Sequence, residues 1–365
     1  MSILFIGPYR QPDEWGKRSF NLLQCLKKTN LDVTARPLFL ASFPPRTTAE
    51  ETEHTKFDNY DILIQHSLPM HFVTDTSFKK NIGVIDLETI DIDYSGWLYK
   101  LNLLDEIWVN SSTAQKYLSI KFPNKTVRYI QNSLDTEVIE NATPPEPSPA
   151  LDPNRFKFYF IGDTDPKNGI EELIIAYYRA FTSQDQVQLI LCFPGVPPES
   201  FQSLFKQCVQ KTGKLYEEAI TPLVHIMNMP LAEEQVTAIH MQCDCMVCPS
   251  YTFATQHTPL EAAGFGNSPI VTNGTGSAEL LTDKNAWLIE SYEDCCAIPI
   301  RPFPDVFTAK ETIRKPIIKS LSNCLIEAYQ NKYLRDQKKS HSNDLLQRIS
   351  YESVAKQLKD YLCIQ

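Results

Sequence analysis

Residues 248–276, CPSYTFATQHTPLEAAGFGNSPIVTNGTG, contain the pattern that decides the fold. A short apolar run ends at residue 248, and a polar loop leads from it into a helix that begins at TPLE. A second apolar run, SPIVT, ends in a glycine-rich loop. Apolar runs of four or five residues that alternate with helices indicate a parallel α/β sheet. The glycine spacing matches neither a Walker loop nor a dinucleotide-binding fingerprint.

The start of this helix has two interpretations. Thr258, Pro259 and Glu261 suit the N-cap, N1 and N3 positions, so Glu261 is predicted to close a capping box on the Thr258 amide. The unpaired N–H groups and the dipole of such a helix also favour a phosphate. Gly274 and Gly276 let the backbone approach a ligand closely. The segment thus predicts a site for an anionic, hydroxylated ligand such as a nucleotide-diphosphate sugar.

The same alternation runs through the whole chain of 365 residues. Strand patterns in the first half occupy residues 3–7, 60–67, 81–88, 105–111 and 127–133. Those of the second half occupy residues 156–162, 187–193, 223–228, 245–250, 268–273 and 286–291. A proline-rich segment, predicted to be a linker over 143–154, separates them. The sequence therefore predicts two doubly wound domains, 1–142 and 155–348, that face each other across a cleft.

Composition narrows the class of protein. The formal net charge is −9, and the basic residues are scattered, which argues against a nucleic-acid binder. No signal peptide or membrane-spanning stretch is recognisable, so a cytoplasmic location is predicted. Disulfides are rare in that compartment, so the ten cysteines are expected to be reduced.

One cysteine cluster, CDCMVC at residues 243–248, raises the question of a metal site. Cys243, Cys245 and Cys248 with His240 would give four ligands, but their order fits no common zinc site. The alternative is a short buried strand in which cysteine acts as a small hydrophobic residue. The strand is the favoured interpretation, and no metal is predicted.

Several segments in order resemble retaining GT-B glycosyltransferases of the family-four type. The resemblance rests on residues 248–276 and on two further segments, FIGDTDPKNGIEELIIAYYRAF (160–181) and LNLLDEIWVNSSTAQKYL (101–118). It implies an α/β, GT-B fold of two Rossmann-like domains, with the C-terminal helix, 349–365, crossing back onto the first. It also implies a nucleotide-sugar donor as substrate and no further cofactor.

The resemblance implies donor contacts in the second domain. Glu261 would hold the ribose hydroxyls, and Thr258 and the neighbouring His257 would meet the diphosphate. Asn228 and Met229, after the strand pattern LVHIM, would line the nucleobase.

In the first domain, the loop after the first strand would face the donor phosphates and the acceptor. Its candidate residues are Arg10, Gly16, Lys17 and Arg18. Polar residues also follow two strand patterns, where His66 is a candidate for contact with the donor sugar or the acceptor. Glu88 lies where a subgroup of the family carries a carboxylate and is a candidate for acceptor contact. His66 and Glu88 are the predicted catalytic pair.

Three departures from the family pattern concern charge. Phe253 stands where the family has the first glutamate of its pair, Asp163 where it has an arginine, and Asn168 where it has a lysine. Lys167 is adjacent and is a candidate replacement for that lysine. A charge-assisted hydrogen bond contributes roughly 1.5–3 kcal/mol, so these changes weaken the expected hold on the donor. Phe253 is a candidate for packing on donor or acceptor, and an ordinary place in the core is the alternative.

Three functions are consistent with these observations. The leading hypothesis is a glycosyltransferase that moves a sugar from a nucleotide donor to an unidentified acceptor hydroxyl. The second is a transferase-like scaffold or accessory subunit without turnover. The third, a sugar transferase acting on modified DNA bases, is disfavoured by the acidic net charge. The sequence leaves peripheral membrane contact and the oligomeric state open.

Overall fold

The computed structural model describes residues 1–39, 53, 59–94, 96–146, 148, 151–194, 198–212, 221–228, 231–296 and 309–362. Its first half is built on a six-stranded parallel sheet with the order β2-β1-β3-β4-β5-β6. The strands of this sheet are Ser2–Gly7 (β1), Asp32–Pro37 (β2), Ile62–His66 (β3), Lys80–Ile85 (β4), Glu106–Val109 (β5) and Thr126–Tyr129 (β6). β3 and β5 are buried along their whole length because they lie inside the sheet and are covered on both faces.

Four helices accompany the first sheet: Glu14–Lys27 (α1), Trp97–Asn102 (α2), Ser112–Lys121 (α3) and Thr136–Glu140 (α4). α1 buries Leu22, Leu23 and Leu26 against the sheet. Its N-cap is Asp13, whose side chain accepts a hydrogen bond from the Gly16 amide at 2.7 Å. This cap fixes where α1 begins, and therefore where its first-turn side chains lie.

The second half is built on another six-stranded parallel sheet with the order β12-β11-β10-β7-β8-β9. Its strands are Phe156–Ile161 (β7), Val187–Cys192 (β8), Leu223–Met227 (β9), Cys245–Cys248 (β10), Ile270–Thr272 (β11) and Trp287–Ile289 (β12). Numbered within this half, the order is 3-2-1-4-5-6, which is the Rossmann arrangement. The chain reverses direction across the sheet between β7 and β10, and ligands bind at such a point in open α/β sheets.

The remaining elements are a hairpin and the helices of the second half and of the C-terminal segment. A two-stranded antiparallel hairpin consists of Ser291–Cys295 (β13) and Thr312–Pro316 (β14). The helices are Ile170–Ala180 (α5), Pro198–Lys211 (α6), Glu233–Gln242 (α7), Thr258–Gly264 (α8), Ile318–Gln330 (α9), Lys332–Ser340 (α10), Ser342–Ile349 (α11) and Tyr351–Tyr361 (α12).

The last two helices pack on different halves of the molecule. α11 places Leu345, Leu346 and Ile349 in a core with residues of the second sheet. α12, directly after it, places Val354 and Leu358 in the core of the first sheet. The C-terminal segment therefore leaves the second half and covers the first.

Two doubly wound parallel sheets were predicted, and this prediction is confirmed. Every strand pattern found in the sequence corresponds to a strand. β2 and the β13–β14 hairpin were missed, because their alternating or exposed polar residues do not form a buried apolar run. Of the predicted linker, residues 147, 149 and 150 lie outside the described residues, as do 363–365 of the C-terminal segment. In the described part of the chain, no helix is long and apolar enough to cross a membrane.

Candidate functional site

Loops from the two sheets meet at a shared interface. The Phe253 amide, in the loop after β10, donates to the Glu88 carbonyl, in the loop after β4, at 2.9 Å. The Thr255 hydroxyl donates to the Asn110 carbonyl, after β5, at 2.8 Å. Each of these loops follows a strand, so the carboxyl ends of both sheets contribute to the interface. Ligands bind at such edges in α/β proteins, which makes this interface the candidate site.

Glu261 lies in the interface and pairs with Lys17 of the other half. The Lys17 ammonium, on the first turn of α1, contacts Glu261 Oε1. Their side chains are 25% and 13% exposed. Burial lowers the pKa of Lys17, but the Glu261 carboxylate outweighs it and the net shift is upward. Burial raises the pKa of Glu261, but Lys17 and His240 outweigh it and hold that pKa well below its usual range. Both groups are therefore charged at neutral pH.

The predicted capping box at the start of α8 is wrong. His257, not Thr258, is the N-cap, and it makes no side-chain cap bond. The Glu261 carboxylate does not turn back to the Thr258 amide, because it is directed at Lys17. The geometric reason is that a partner of opposite charge from another element lies within reach of this carboxylate.

The cap of α8 comes instead from Glu14, which lies 243 positions earlier in the chain. Its carboxylate accepts from the His257 amide at 3.0 Å and from the Thr258 amide at 3.1 Å, and it also contacts the Thr258 hydroxyl. Two amides of the first turn of α8 thus bind an anion. The anion is supplied by α1, whose Lys17 reaches Glu261 from the same turn.

His257 is fully buried beneath this contact. Its Nε2 lies 3.2 Å from the Ser133 carbonyl, and its Nδ1 lies 3.9 Å from the Glu14 carboxylate. Burial lowers the pKa of His257 to about 4, against the opposing charges of Glu14 and Glu261. His257 is therefore neutral at pH 7, and its ring joins α8 to the loop after β6.

A second ion pair crosses the interface at Lys167. Its ammonium lies 2.6 Å from Glu88 Oε1, so the predicted acceptor-side carboxylate and the predicted phosphate-side lysine are brought together. Burial lowers the pKa of Lys167, but Glu88 outweighs it and the net shift is upward. The surrounding loop is acidic, because Asp165 accepts from the Lys167 amide and Asp163 accepts from the Asn168 side chain.

His66, the other predicted catalytic residue, is fully buried at the end of β3. The Trp15 indole N–H lies 2.9 Å from His66 Nε2, and Asp86 Oδ2 lies 3.2 Å from the same nitrogen. Asp86 also pairs with Arg18. Burial lowers the pKa of His66 well below its usual range, and Arg18 and His257 lower it further. His66 is therefore neutral, and its Nε2 accepts from the Trp15 indole N–H, so the same nitrogen cannot also donate to the Asp86 carboxylate.

The N-terminal loop residues occupy different surroundings. Arg10 forms a two-point ion pair with Glu53, at 2.8 and 2.9 Å, rather than with the group around Glu261. Gly16 is required by packing, since a Cβ there would lie 2.1 Å from the Gln11 carbonyl. Each of the three cations in this segment is thus paired with its own carboxylate of the same chain: Arg10 with Glu53, Lys17 with Glu261 and Arg18 with Asp86.

Phe253 is buried, which favours the core position over contact with donor or acceptor. It is 2% exposed because the loop after β10 packs between the two halves. Gly276 explains how closely the loops approach, since a Cβ there would lie 2.3 Å from the Phe253 carbonyl. The space left by the missing side chain of Gly276 is therefore occupied by the backbone of residue 253 of this same chain. Gly274 has φ +78°, a left-handed conformation that favours glycine.

Of the two residues predicted to line the nucleobase, the structure describes one. Asn228 directly follows β9 and is half-buried at the carboxyl edge of the second sheet. Met229 lies outside the described residues.

The cysteine cluster forms a buried strand, as favoured. Cys245 packs in one core, whereas Cys243 and Cys248 pack in the core on the opposite face of the sheet. His240 is held by Tyr159 at 2.7 Å. Within the described ranges, no group of three or more ligating side chains could hold a metal ion.

Glu14 was not among the predicted site residues, and the sequence left open whether Glu261 caps α8 or binds a ligand. Glu14 follows the N-cap Asp13 and has the pattern of an ordinary acidic first-turn residue. No local signal connects it to residue 258. The contribution of His240 was also missed, because its cysteine neighbours suggested a different chemistry.

Comparison with known proteins supports the fold. No protein-family model matches the sequence, and no curated protein matches it significantly. Solved structures do match. A glycosyltransferase from Rickettsia africae has a TM-score of 0.65 at 10% identity, with 100% of this chain and 99% of that chain covered. Sucrose-phosphate synthase from Thermosynechococcus elongatus has a TM-score of 0.65 at 14% identity, with 100% and 98% covered.

A third solved structure is that of HepE from Anabaena in complex with UDP. It has a TM-score of 0.69 at 16% identity, and 100% of both chains is covered. At such identities the likeness shows the fold alone. The chain therefore has the GT-B architecture, with two Rossmann-like domains facing each other at the interface described above.

Proposed function

We propose that this protein is a glycosyltransferase that moves a sugar from a nucleotide-diphosphate sugar to an acceptor hydroxyl. The observation that carries the proposal is the group of contacts at the start of α8. Two amides there bind a carboxylate, and the ionised Glu261 lies one turn further along the helix. Backbone N–H groups suit a diphosphate, and a carboxylate suits the paired hydroxyls of a ribose. The GT-B architecture, shared with a protein solved with UDP, supports the same assignment.

In this proposal the diphosphate takes the position of the Glu14 carboxylate. Both anions would use the N–H groups of His257 and Thr258, so they compete. Ribose binding likewise releases Lys17 from Glu261, and the freed ammonium can pair with a phosphate. Donor binding therefore requires the first turn of α1 to move away from α8.

We further propose transfer with retention, as the family resemblance implies, in the cytoplasm and without a bound metal. The bond from the anomeric carbon to the diphosphate oxygen breaks while the acceptor oxygen bonds to that carbon. The acceptor proton passes to the departing phosphate. Helix N–H groups and the ammonium groups of Lys17 and Lys167 would stabilise the charge that develops there. Glu88, paired with Lys167, would lie on the acceptor side.

A thermal-shift panel with UDP, GDP, ADP, CDP and TDP tests donor binding. A nucleotide at about 100 times its dissociation constant should raise the stability of the wild type by about 2.7 kcal/mol. Glu261→Gln should reduce this increase to about 1.4–2 kcal/mol, because a three- to tenfold loss of affinity lowers the ratio of nucleotide concentration to dissociation constant. Sugar release from the matching nucleotide sugar, followed by mass spectrometry of added acceptors, then tests transfer. The proposal fails if a folded sample responds to none of the nucleotides.

A scaffold without turnover is the second candidate, and one observation favours it. Four cations proposed for the donor phosphates are each paired with a carboxylate of this chain; they are Arg10, Lys17, Arg18 and Lys167. Phe253, buried at the position of the family's first glutamate, offers no charge to a donor sugar. Nucleotide binding without sugar transfer across a broad acceptor panel would favour this candidate.

A further inference from the structure

Behind Glu261 lies a buried chain of hydrogen bonds. It runs from Asn267 through Tyr159 to His240, and these residues are at most 9% exposed. The Asn267 side-chain nitrogen lies 2.8 Å from the His240 carbonyl and 2.9 Å from the Tyr159 hydroxyl. The Tyr159 hydroxyl lies 2.7 Å from His240 Nδ1. The other ring nitrogen of His240, Nε2, lies 3.8 Å from Glu261 Oε2.

The proton positions in this chain are assigned step by step, starting from one backbone atom. The His240 carbonyl can only accept, so the group of Asn267 that faces it is the NH₂. The second N–H of that group donates to the Tyr159 oxygen. Tyr159 is fully buried, and among the described residues His240 Nδ1 is the acceptor that lies within reach of its hydroxyl hydrogen, so we assign that hydrogen to Nδ1. Because Nδ1 accepts, the proton of the neutral ring is on Nε2.

The N–H group is therefore on the ring nitrogen that lies 3.8 Å from Glu261 Oε2. Neither His240 Nε2 nor Glu261 Oε2 has a hydrogen-bond partner within 3.5 Å among the described residues, so each is available to the other. The ring of His240 is also stacked on Phe265, with centroids 5.5 Å apart and planes 12° apart. Hydrogen bonds and stacking together fix both the tautomer and the orientation of the imidazole.

We propose that His240 is a positioning residue for Glu261, held in its donor tautomer by Tyr159 and Asn267. One carboxylate oxygen is oriented by the imidazole, and the other is presented to the interface, where Lys17 contacts it. This inference rests on the proposed function, because the presented oxygen would bind the ribose hydroxyls. His240 then acts on ribose recognition through Glu261 without touching the nucleotide.

The test compares ribose with deoxyribose nucleotides. Dissociation constants for the pairs UDP and dUDP, GDP and dGDP, and ADP and dADP are measured by calorimetry on the wild type and four variants. A charged hydrogen bond to a hydroxyl should favour the ribonucleotide by about tenfold or more. Glu261→Gln and His240→Phe should reduce this preference to about threefold or less, with the deoxynucleotide affinity almost unchanged. Phenylalanine keeps a ring against Phe265.

Two further variants separate positioning from packing. His240→Gln restores an N–H group and should recover part of the ribose preference. Tyr159→Phe removes the hydroxyl that fixes the tautomer, so its preference should be intermediate. If packing were the only role of His240, its variants would lower the affinity for both nucleotides of a pair equally. His240→Gln would then not restore the ribose preference.

A second measurement needs no nucleotide. The carboxyl carbon of Glu261, assigned with Glu261→Gln, is titrated by ¹³C NMR in the wild type and in His240→Phe. Loss of the N–H group should move the titration midpoint to higher pH, while Lys17 still faces the carboxylate. A control variant at a half-buried site on another helix boundary, His341→Phe, should leave the midpoint in place.

The outcomes distinguish the two proposals. If Glu261→Gln abolishes the ribose preference and His240→Phe keeps it, the positioning role is wrong and the proposed function stands. If the wild type binds no nucleotide, or binds both members of each pair equally, the proposed role of Glu261 is wrong. The NMR titration then decides the contact with His240 alone, and an unchanged midpoint in His240→Phe overturns it.

Discussion

At the scale of single residues, Glu261 shows how far a local pattern can specify a role. The sequence marks it as important for two incompatible reasons, a capping box and a ribose contact. The structure excludes the first, because the carboxylate pairs with Lys17 and faces His240. No residue within a helical turn of Glu261 carries the charge that decides between the two roles.

The lowered pKa of Glu261 gives a pH-dependent stability. Because its pKa is lower in the folded than in the unfolded chain, the carboxylate stabilises the fold above the unfolded value of about 4.3. This stabilisation is lost as the pH falls towards the folded value. We expect Glu261→Gln to cost roughly 1–3 kcal/mol at pH 7, below the cost for a fully buried pair, because Lys17 remains partly exposed. The difference from wild type should shrink below about pH 4.3.

Urea unfolding at a series of pH values from 7 to 3 measures this effect. Glu140→Gln, at an exposed position of α4, is the matched control and should show little difference at any pH. A difference for Glu261→Gln that stays constant from pH 7 to pH 3 would contradict the assigned ionisation.

At the scale of elements, two helices are capped by a carboxylate from the opposite half of the molecule. Glu14 caps α8, as described above. Glu279, beyond β11, accepts from the Ser112 amide at 2.7 Å and from the Thr113 amide at 3.2 Å, at the start of α3. The two contacts are alike in chemistry, but only Glu14 lies at the proposed diphosphate position.

Because Glu14 and Glu279 cap their helices in the same way, they supply a matched pair of variants. Glu14→Gln and Glu279→Gln should each lower the stability by about 0.5–2 kcal/mol, the usual value of a lost N-terminal cap. Glu14→Gln should also increase the thermal shift produced by the nucleotide that the panel identifies, because its competitor at the α8 amides is no longer charged. Glu279→Gln should leave that shift unchanged. A smaller shift in Glu14→Gln would mean that Glu14 assists the donor rather than competing with it.

At the scale of the whole molecule, the C-terminal helices connect the two halves. α11 is anchored in the second half, and α12 completes the core of the first, where the Tyr351 hydroxyl donates to Asn21 at 2.7 Å. In the proposed donor binding, the movement of α1 away from α8 would therefore carry α12 along, because both helices share the core of the first half.

Leu358 tests how much α12 contributes. It is fully buried, so Leu358→Ala should lower the free energy of unfolding by about 2–5 kcal/mol. Lys356→Ala, exposed on the same helix, should change it by less than about 0.5 kcal/mol. Differential scanning calorimetry and urea unfolding measure both. A loss below 1 kcal/mol for Leu358→Ala would show that α12 is dispensable for the first half.

The sequence by itself determined the two parallel sheets, most of their strands and the buried strand at the cysteine cluster. These depend on short apolar runs and on turn residues, which act within a few positions of the chain. It also identified the segment at 248–276, because glycines and a helix start are local signals.

Only the tertiary structure decided which charges meet. Glu14 reaches His257 and Thr258, Lys17 reaches Glu261, and Lys167 reaches Glu88 across more than 70 residues of chain. Burial of Phe253 likewise comes from the packing of one half on the other, and the lowered pKa of His66 comes from its burial inside the first sheet and from nearby charges. The physical reason is that Coulomb interactions and desolvation depend on distances in space, and these are set by the fold, not by spacing in the sequence.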